Sequence, residues 1–428
     1  VLEFHKFKSD SGRETLKTGS TSIRIALAGF STLLVALLSF SSGFVVAALQ
    51  PGVAEWRLGP GQSARSGEPI SSDENPATLG VFTEAWELIE ADFFGPLPTE
   101  TERVYGAIRG ILAEVGDPYT VFVEPVPHKF DQEKLRGSYG GIGVDLSRND
   151  QGDVVLTPFR DSPASRVGIE EGDILVAVDD LTVTVDMDVS QDVAALLRGE
   201  PGTDVLLLVR RGEQEIEFVV GREVIDTPSV HWRLLTEETP PLAYVEITSF
   251  TDRTPSELAE ALKELLGRDG AKGLVLDLRN NGGGLLHSSI DVVDQFLDGG
   301  VVLYEVKRGG IEKSFSAEPG GNAVDTPMVV LVNNGTASAS EIVAGAIQDH
   351  DRGVLVGQTT YGKGSVQLIF DLSDGASLHL TSAQWLTPNR HQLEGVGLTP
   401  DVSIEDPEPG GVDVVLEEAT DILRTGLR

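Results

Sequence analysis

The chain has 428 residues, 40% of them hydrophobic, which suits two or three globular domains, and its formal charge of -34 argues against nucleic acid, since phosphate binding needs a basic surface. It contains no cysteine, which removes disulfides, thiol nucleophiles, cysteine metal sites and a lipoprotein anchor. The seven histidines show no metal-ligand spacing, so no metal is expected.

Residues 1–24 carry Lys6, Lys8, Arg13, Lys17 and Arg24, and residues 25–50 form an uncharged apolar run long enough to cross a bilayer. The positive flank places the N-terminus in the cytoplasm and everything after the run outside it. A single-pass anchor is expected. The competing reading is a cleaved signal peptide, with small residues around Ala47 and Ala48 for a signal peptidase and a secreted product. Residues 51–77 read as a flexible tether.

Two amphipathic helices follow within 78–135. Leu79, Phe82, Trp86, Ile89 and Phe93 recur at helical spacing, as do Val104, Ile108, Ile111, Leu112 and Val115, and both stripes are expected to be core.

Residues 136–222 make a module of short strands: Tyr139 to Val144, a turn from Ser162 to Ile169, Gly172 to Val178, a helix near Val189 to Leu197, and Val205 to Val209. This order resembles a PDZ domain of the bacterial protease type. The resemblance implies that Gly140, Gly141, Ile142 and Gly143 bind a peptide's terminal carboxylate through backbone amides while the peptide adds as a strand. Arg136, close in sequence, is the candidate cation beside that loop.

From 223 to 404 strand and helix alternate. Leu242–Ile247 is a strand; Thr254-Pro255-Ser256-Glu257 reads as a capping box opening a helix that Gly267 can end; Gly273–Leu278 is a buried strand running into Arg279-Asn280-Asn281-Gly282-Gly283-Gly284. Such alternation implies a largely parallel sheet with helices on it.

The apolar run Met328–Val332 then meets Asn333-Asn334-Gly335-Thr336-Ala337-Ser338-Ala339-Ser340-Glu341 and a helix of small residues. A serine is thereby set at a helix start, where unpartnered amides and the positive end of the dipole would face an oxyanion. The plainer reading is a Ser338–Glu341 capping box with no catalytic meaning. Further on, Lys363 lies in Tyr361-Gly362-Lys363-Gly364, and Gln367, four residues later, would share its face if both were on a strand. Such a lysine acts as a general base only if burial lowers its pKa from about 10.4 toward roughly 7 or 8. Asp349-His350 does not complete a serine triad, because twelve residues of helix put His350 roughly 18 Å from Ser338. His287, His379 and His391 show no partner in sequence.

The Gly-Thr-Ala-Ser-Ala-Ser-Glu stretch, the Tyr-Gly-Lys-Gly loop, their spacing and Gln367 resemble the signature of the C-terminal processing peptidases, or tail-specific proteases. The resemblance implies Ser338, rather than Ser340, as nucleophile, Lys363 as its base and Gln367 as the lysine's support. Spacing alone does not choose between the serines. It also implies an oxyanion hole from Gly283 and Ala339, with the choice among glycines 282–284 left open. Leu380–Pro388 and Glu394–Asp401 resemble the family's closing strand and turn. An acidic link and a final helix occupy 405–428, with Val412, Val415, Leu416, Ala419 and Leu423 on a face that packs within the chain or against a second copy in a homodimer.

The expectation is therefore an α/β (α+β multidomain) chain. By resemblance it has a crotonase/ClpP-like spiral β/α protease core with an inserted PDZ domain; periodicity adds an N-terminal helical segment, and the apolar run an N-terminal transmembrane helix. It would be an extracytoplasmic serine endopeptidase acting on proteins with accessible C-terminal tails, with no cofactor. The rivals are an inactive PDZ-type peptide-binding scaffold and a crotonase-type acyl-CoA enzyme.

Overall fold

The computed structural model describes residues 76–237, 239–405 and 411–426. The expected membrane run at 25–50, nearly all of the tether and most of the acidic link lie outside the described residues. Among the described residues no helix is long and apolar enough to cross a membrane. The chain divides into two units, ending at and beginning after Phe94.

In the first unit, helix α1 (Pro76–Asp92) does not bury its expected stripe: Phe82, Ile89 and Phe93 are exposed. The second unit opens with α2 (Glu100–Val115), which starts on a reciprocal Thr99–Glu102 capping box and ends at Gly116 in the left-handed conformation. It too has no buried residue, and Val104, Ile111 and Val115 face out. Helical periodicity identifies both elements correctly, but a periodic stripe names a face, not the surface that covers it.

Asp117 then caps a tight turn, accepting the Tyr119 amide at 3.2 Å and the Thr120 hydroxyl at 2.5 Å. Strand β1 (Val121–Val123) and helix α3 (Pro125–Arg136) follow. Strands β2 (Ser138–Gly141) and β9 (Glu223–Asp226) form a two-stranded ribbon through which the chain enters and leaves a separate small domain. That domain has β3 (Val144–Arg148), β4 (Val154–Pro158), β5 (Asp173–Val178), β7 (Asp204–Arg211) and β8 (Gln214–Gly221) in one antiparallel sheet, with the short β6 (Leu181–Thr182) on β5. Helix α4 (Pro163–Val167) and a wide helical turn, Val189–Val193, running into α5 (Ala194–Leu197), close its own core of Ile142, Leu156, Leu175, Val193, Leu207 and Val220.

The larger domain holds two sheets. In the first, β10 (Val230–Leu235) lies antiparallel on β11 (Leu242–Ile247), and β12 (Leu274–Asp277), β15 (Met328–Val332), β16 (Val354–Gly357) and β19 (Val402–Ser403) continue in parallel. Because strand side chains alternate, Leu274, Leu276, Val330 and Val332 face one side and Val275, Val329 and Leu331 the other. Helices α6 (Thr254–Leu262), α7 (Leu286–Val293) and α8 (Ala339–Asp349) cover the first face. Helix α9 (Val414–Gly426) covers the second with Val415, Ala419 and Leu423, so the last helix packs within the chain. Burial on both faces explains why β15 reads as an unbroken apolar run and β12 as one up to Asp277.

Alternation of strand and helix did not reveal the second sheet. It is antiparallel and runs β1, β18 (Ser377–Leu386), β13 (Gly300–Lys307), β14 (Ile311–Ala317), with β17 (Ser365–Asp371) also on β18. The Thr254–Glu257 capping box is likewise not formed. Thr254 takes the Thr251 amide at 2.8 Å, Glu257 turns to the Ser229 amide at 2.8 Å, and the helical path continues through Gly267 to Arg268.

Arg279 fastens α9 to the end of β12. It donates to both Asp277 oxygens and to Asp413 at 2.9 and 2.8 Å. Burial works against the Asp413 charge, but the Arg279 hydrogen bonds outweigh it and hold the carboxyl below its ordinary range. A lowered carboxyl stabilises the fold fully above its unfolded value, about 3.9, and that contribution is lost as pH falls through the folded value. Asp413→Asn is therefore expected to lower the melting temperature at pH 7 and to flatten its decline below about pH 4, read by thermal melts at both pH values.

Candidate active site

Ser338 stands between β15 and α8 with φ 57° and ψ -116°, a left-handed conformation that a non-glycine residue adopts only under constraint, at a cost of about 1–3 kcal/mol. The constraint comes from the glycine turn after β12. The Asn281 carbonyl accepts the Ala337 amide at 3.0 Å and the Ser340 hydroxyl at 2.8 Å. Gly283, at φ 103°, lies so close that a Cβ there would stand 2.9 Å from the Ala337 carbonyl and from the Ser338 Cβ. Ser340 is thus a fully buried structural hydroxyl, whereas Ser338 lines a cavity of about 280 Å³.

Lys363 lines the same cavity from the loop ahead of β17. Its Nζ donates to Gln367 Oε1 at 2.9 Å and lies 4.8 Å from the centre of the Tyr119 ring, a cation–π distance. Gln367 in turn donates to the Tyr119 carbonyl. Strand parity does not bring lysine and glutamine together, because Lys363 precedes the strand and a bulge falls between Val366 and Gln367. Burial lowers the Lys363 pKa, while the charges of Glu394 and Asp117 pull it back up. Burial, then the Tyr361 hydroxyl beside it, pushes Tyr119 up to about 12, so its ring stays neutral. Among the described residues the Ser338 and Lys363 side chains share the cavity without a hydrogen bond between them.

The residue that sequence reasoning undervalued is Glu341. It is fully buried, and its carboxylate accepts the Ser338 amide at 2.8 Å, the Gly362 amide at 2.7 Å, the Lys363 amide at 2.9 Å and the Thr360 hydroxyl at 2.5 Å. The Ser-x-x-Glu spacing signals its bond to Ser338, but nothing in the spacing signals the 360–363 loop. One carboxylate therefore sets the serine turn against the lysine loop.

Of the oxyanion candidates, Ala339 opens α8 and lines the cavity. The Gly283 amide is given to Asn281 Oδ1 at 2.9 Å, and the glycines lining the cavity are its neighbours Gly282 and Gly284. His350 is at the far end of α8 on the Val301 carbonyl, and His287 pairs with Asp252 where both are exposed. His379 lines the cavity with its pKa lowered by burial, a placement its sequence position did not indicate. No group of three potential metal ligands occurs among the described residues.

In the small domain, Gly141, Ile142 and Gly143 line a narrow groove of about 50 Å³ with Val144 and Leu146 of β3 and Ala194 and Leu197 of α5. Gly140 lies outside it, packed under the Gly199 carbonyl. The cation at this groove is Arg198 and not Arg136, because the chain turns at Gly137 and carries Arg136 away on α3. The Arg198 guanidinium lies over the rings of Phe130 (4.4 Å) and Tyr139 (4.5 Å) and donates to Glu133 at 2.7 Å. Phe130 and Glu133 are on α3, whose Leu135 lines the serine–lysine cavity, so this helix touches both sites.

A profile described as peptidase family S41 matches residues 241–404, and one described as a PDZ domain matches 154–211. The carboxyl-terminal-processing protease of Synechocystis sp. is 35% identical over 80% of this chain and 82% of its own length. The carboxy-terminal processing protease CtpA of Bacillus subtilis is 34% identical over 79% and 71%. The structure of a photosystem II D1 C-terminal processing protease matches at 31% identity over 80% of this chain and 90% of its own, with a TM-score of 0.46. The chain belongs to peptidase family S41, among the carboxyl-terminal processing peptidases with a PDZ domain, and is a serine-type peptidase.

Proposed function

We propose that this protein is an endopeptidase that recognises protein C-terminal tails in its PDZ groove and cuts them with a Ser338–Lys363 dyad. The observation that carries the reading is Glu341, which gathers the amides of both residues on one buried carboxylate while their side chains line one cavity. In the reaction the neutral Lys363 amine takes the Ser338 hydroxyl proton as Oγ bonds to the scissile carbonyl carbon. The resulting ammonium returns that proton to the leaving amine as the peptide bond breaks. Water, deprotonated by the same amine, then bonds to the acyl carbon, and the ammonium gives its proton to Ser338 Oγ as the ester bond breaks and the acid leaves. Ala339 and an amide of the 282–284 turn hold the oxyanion. The largely apolar wall, with Leu135, Leu285, Ile342 and Trp385, excludes water and so favours the uncharged amine.

The arrangement described is a resting one, with the lysine on Gln367 and Tyr119. We read tail binding as the step that shifts α3, through Arg198 and Glu133, and frees Lys363 to meet Ser338. The two-sheet core is read as the spiral crotonase/ClpP type, supported by its run of parallel strands with helices between them. An anchor at 25–50 would hold the peptidase outside the cytoplasmic membrane.

A fluorophosphonate probe should label the protein and leave Ser338→Ala unlabelled. Arg198→Ala should keep the label yet lose at least about tenfold in hydrolysis of a substrate with a free C-terminal tail, the scale of one charge-assisted hydrogen bond. Equal labelling of Ser338→Ala would refute the nucleophile. A tail peptide that fills the groove without changing hydrolysis of a second, tail-less substrate would refute the gating.

A further inference from the structure

The loop Leu393–Gly397 is interlocked with the lysine loop. A Cβ on Gly362 would stand 2.7 Å from the Gly397 amide and 2.8 Å from the Leu393 carbonyl, and one on Gly364 would stand 2.9 Å from the Glu394 amide. The Gly395 amide donates to the Gly362 carbonyl at 2.9 Å, and the Gly364 amide donates to Glu394 Oε2 at 3.0 Å. Glu394 is only partly exposed, so an acidic side chain is held against the residue next to the general base.

We propose that Glu394 is a positioning residue for the peptidase reaction, bracing the lysine loop through its bond to the Gly364 amide and holding a carboxylate at that loop. This rests on the serine–lysine reading of the site. The base needs two opposed conditions: an amine neutral enough to accept a proton and an ammonium stable enough to form during attack. Burial alone supplies the first. The Glu394 carboxylate supplies the second, since it favours the charged amine. Other groups also face Lys363. Asp117 and Tyr119 come from the turn before β1, Gln367 from β17 and His379 from β18, and Glu341 holds the backbone from α8. Among the described carboxylates that face Lys363, Asp117 is committed to Tyr119 and Thr120 and Glu341 to four donors, leaving Glu394 as the one bonded to the lysine loop alone. Burial raises its own pKa, with Asp117 and Glu341 adding to the effect.

The test is the pH profile of kcat/KM on a tail peptide for the full chain, Glu394→Gln and Lys363→Ala. Glu394→Gln keeps an oxygen for the Gly364 amide and removes the charge, so the acid limb should move to lower pH by about one unit, the low end of what one neighbouring charge produces. A limb that stays in place while the rate falls uniformly, or one that moves upward, overturns the proposal. Should Glu394→Gln fail to fold, Glu394→Asp withdraws the carboxylate by one methylene and should move the limb in the same direction by less; an unmoved limb again overturns it. Activity surviving in Lys363→Ala would defeat the serine–lysine reading itself, a result separate from an unmoved limb with Lys363→Ala silent.

Discussion

Lys363→Ala is expected to lower kcat on a tail peptide by about 10³-fold or more while leaving the melting temperature within a few degrees of the parent. General-base catalysis contributes about 10² to 10⁴ on its own, and Ser338 without a base is a poor nucleophile at neutral pH. Stability should hold because the amine is costly to bury: desolvation already lowers its pKa, so truncation relieves one penalty as it removes the bonds to Gln367 and the Tyr119 ring. The parent's activity should rise with pH through the lysine's folded value, since the neutral amine is the working form. Burial places that acid limb below the ordinary lysine value of about 10.4. Activity within tenfold of the parent, or an acid limb at the ordinary lysine value, would remove Lys363 from the mechanism.

The site was legible in the sequence where short motifs fix local geometry. A strand, a small-residue turn and a helix set Ser338 at a helix start whatever surrounds them, and the glycines beside Lys363 mark a tight loop. What sequence could not carry was distance between segments. Glu341 reads as a cap because its bond to Ser338 is local, yet its other three bonds cross about twenty residues to the 360–363 loop. Arg136 looked like the groove's cation by proximity in sequence, but the turn at Gly137 sends it elsewhere and Arg198 arrives through the fold. Lys363 and Gln367 meet as expected for a different reason, since a bulge breaks the parity on which the expectation rested.

The fold divides in the same way. Apolar runs gave β12 and β15 because both faces are covered, and the period of the last helix gave Val415, Ala419 and Leu423 as its buried side, while Val412, read with them, precedes the helix and is exposed. The closing strand at 380–388 was legible, but the antiparallel sheet that β18 forms with β1, β13, β14 and β17 was not, because its strands mix polar and apolar residues and pair over long separations, Val121 with His379 among them. This sheet carries Gln367 and His379, and its edge strand follows Tyr119, so the missed sheet is the one that presents the lysine's neighbours to the cavity.

The second large effect is expected at Glu341. Replacing it with alanine leaves the amides of Ser338, Gly362 and Lys363 without their acceptor in a dry interior, each worth about 1–3 kcal/mol when orphaned. A loss of about 3 kcal/mol or more follows, which lowers the melting temperature by roughly 10 °C for a domain of this size. Activity should fall further than stability explains, because the strained Ser338 conformation and the lysine loop lose the group that fixes their separation, and misplacing reacting groups by about 1 Å costs on the order of 10²-fold. Glu341→Gln separates the two effects. Its amide nitrogen would meet N–H donors where the carboxylate now accepts, so rate should drop by about 10²-fold even in molecules that remain folded. Fluorophosphonate labelling of the folded fraction reads this directly: label uptake at the parent's rate would mean that the carboxylate only supports the fold, and that Ser338 and Lys363 find each other without it.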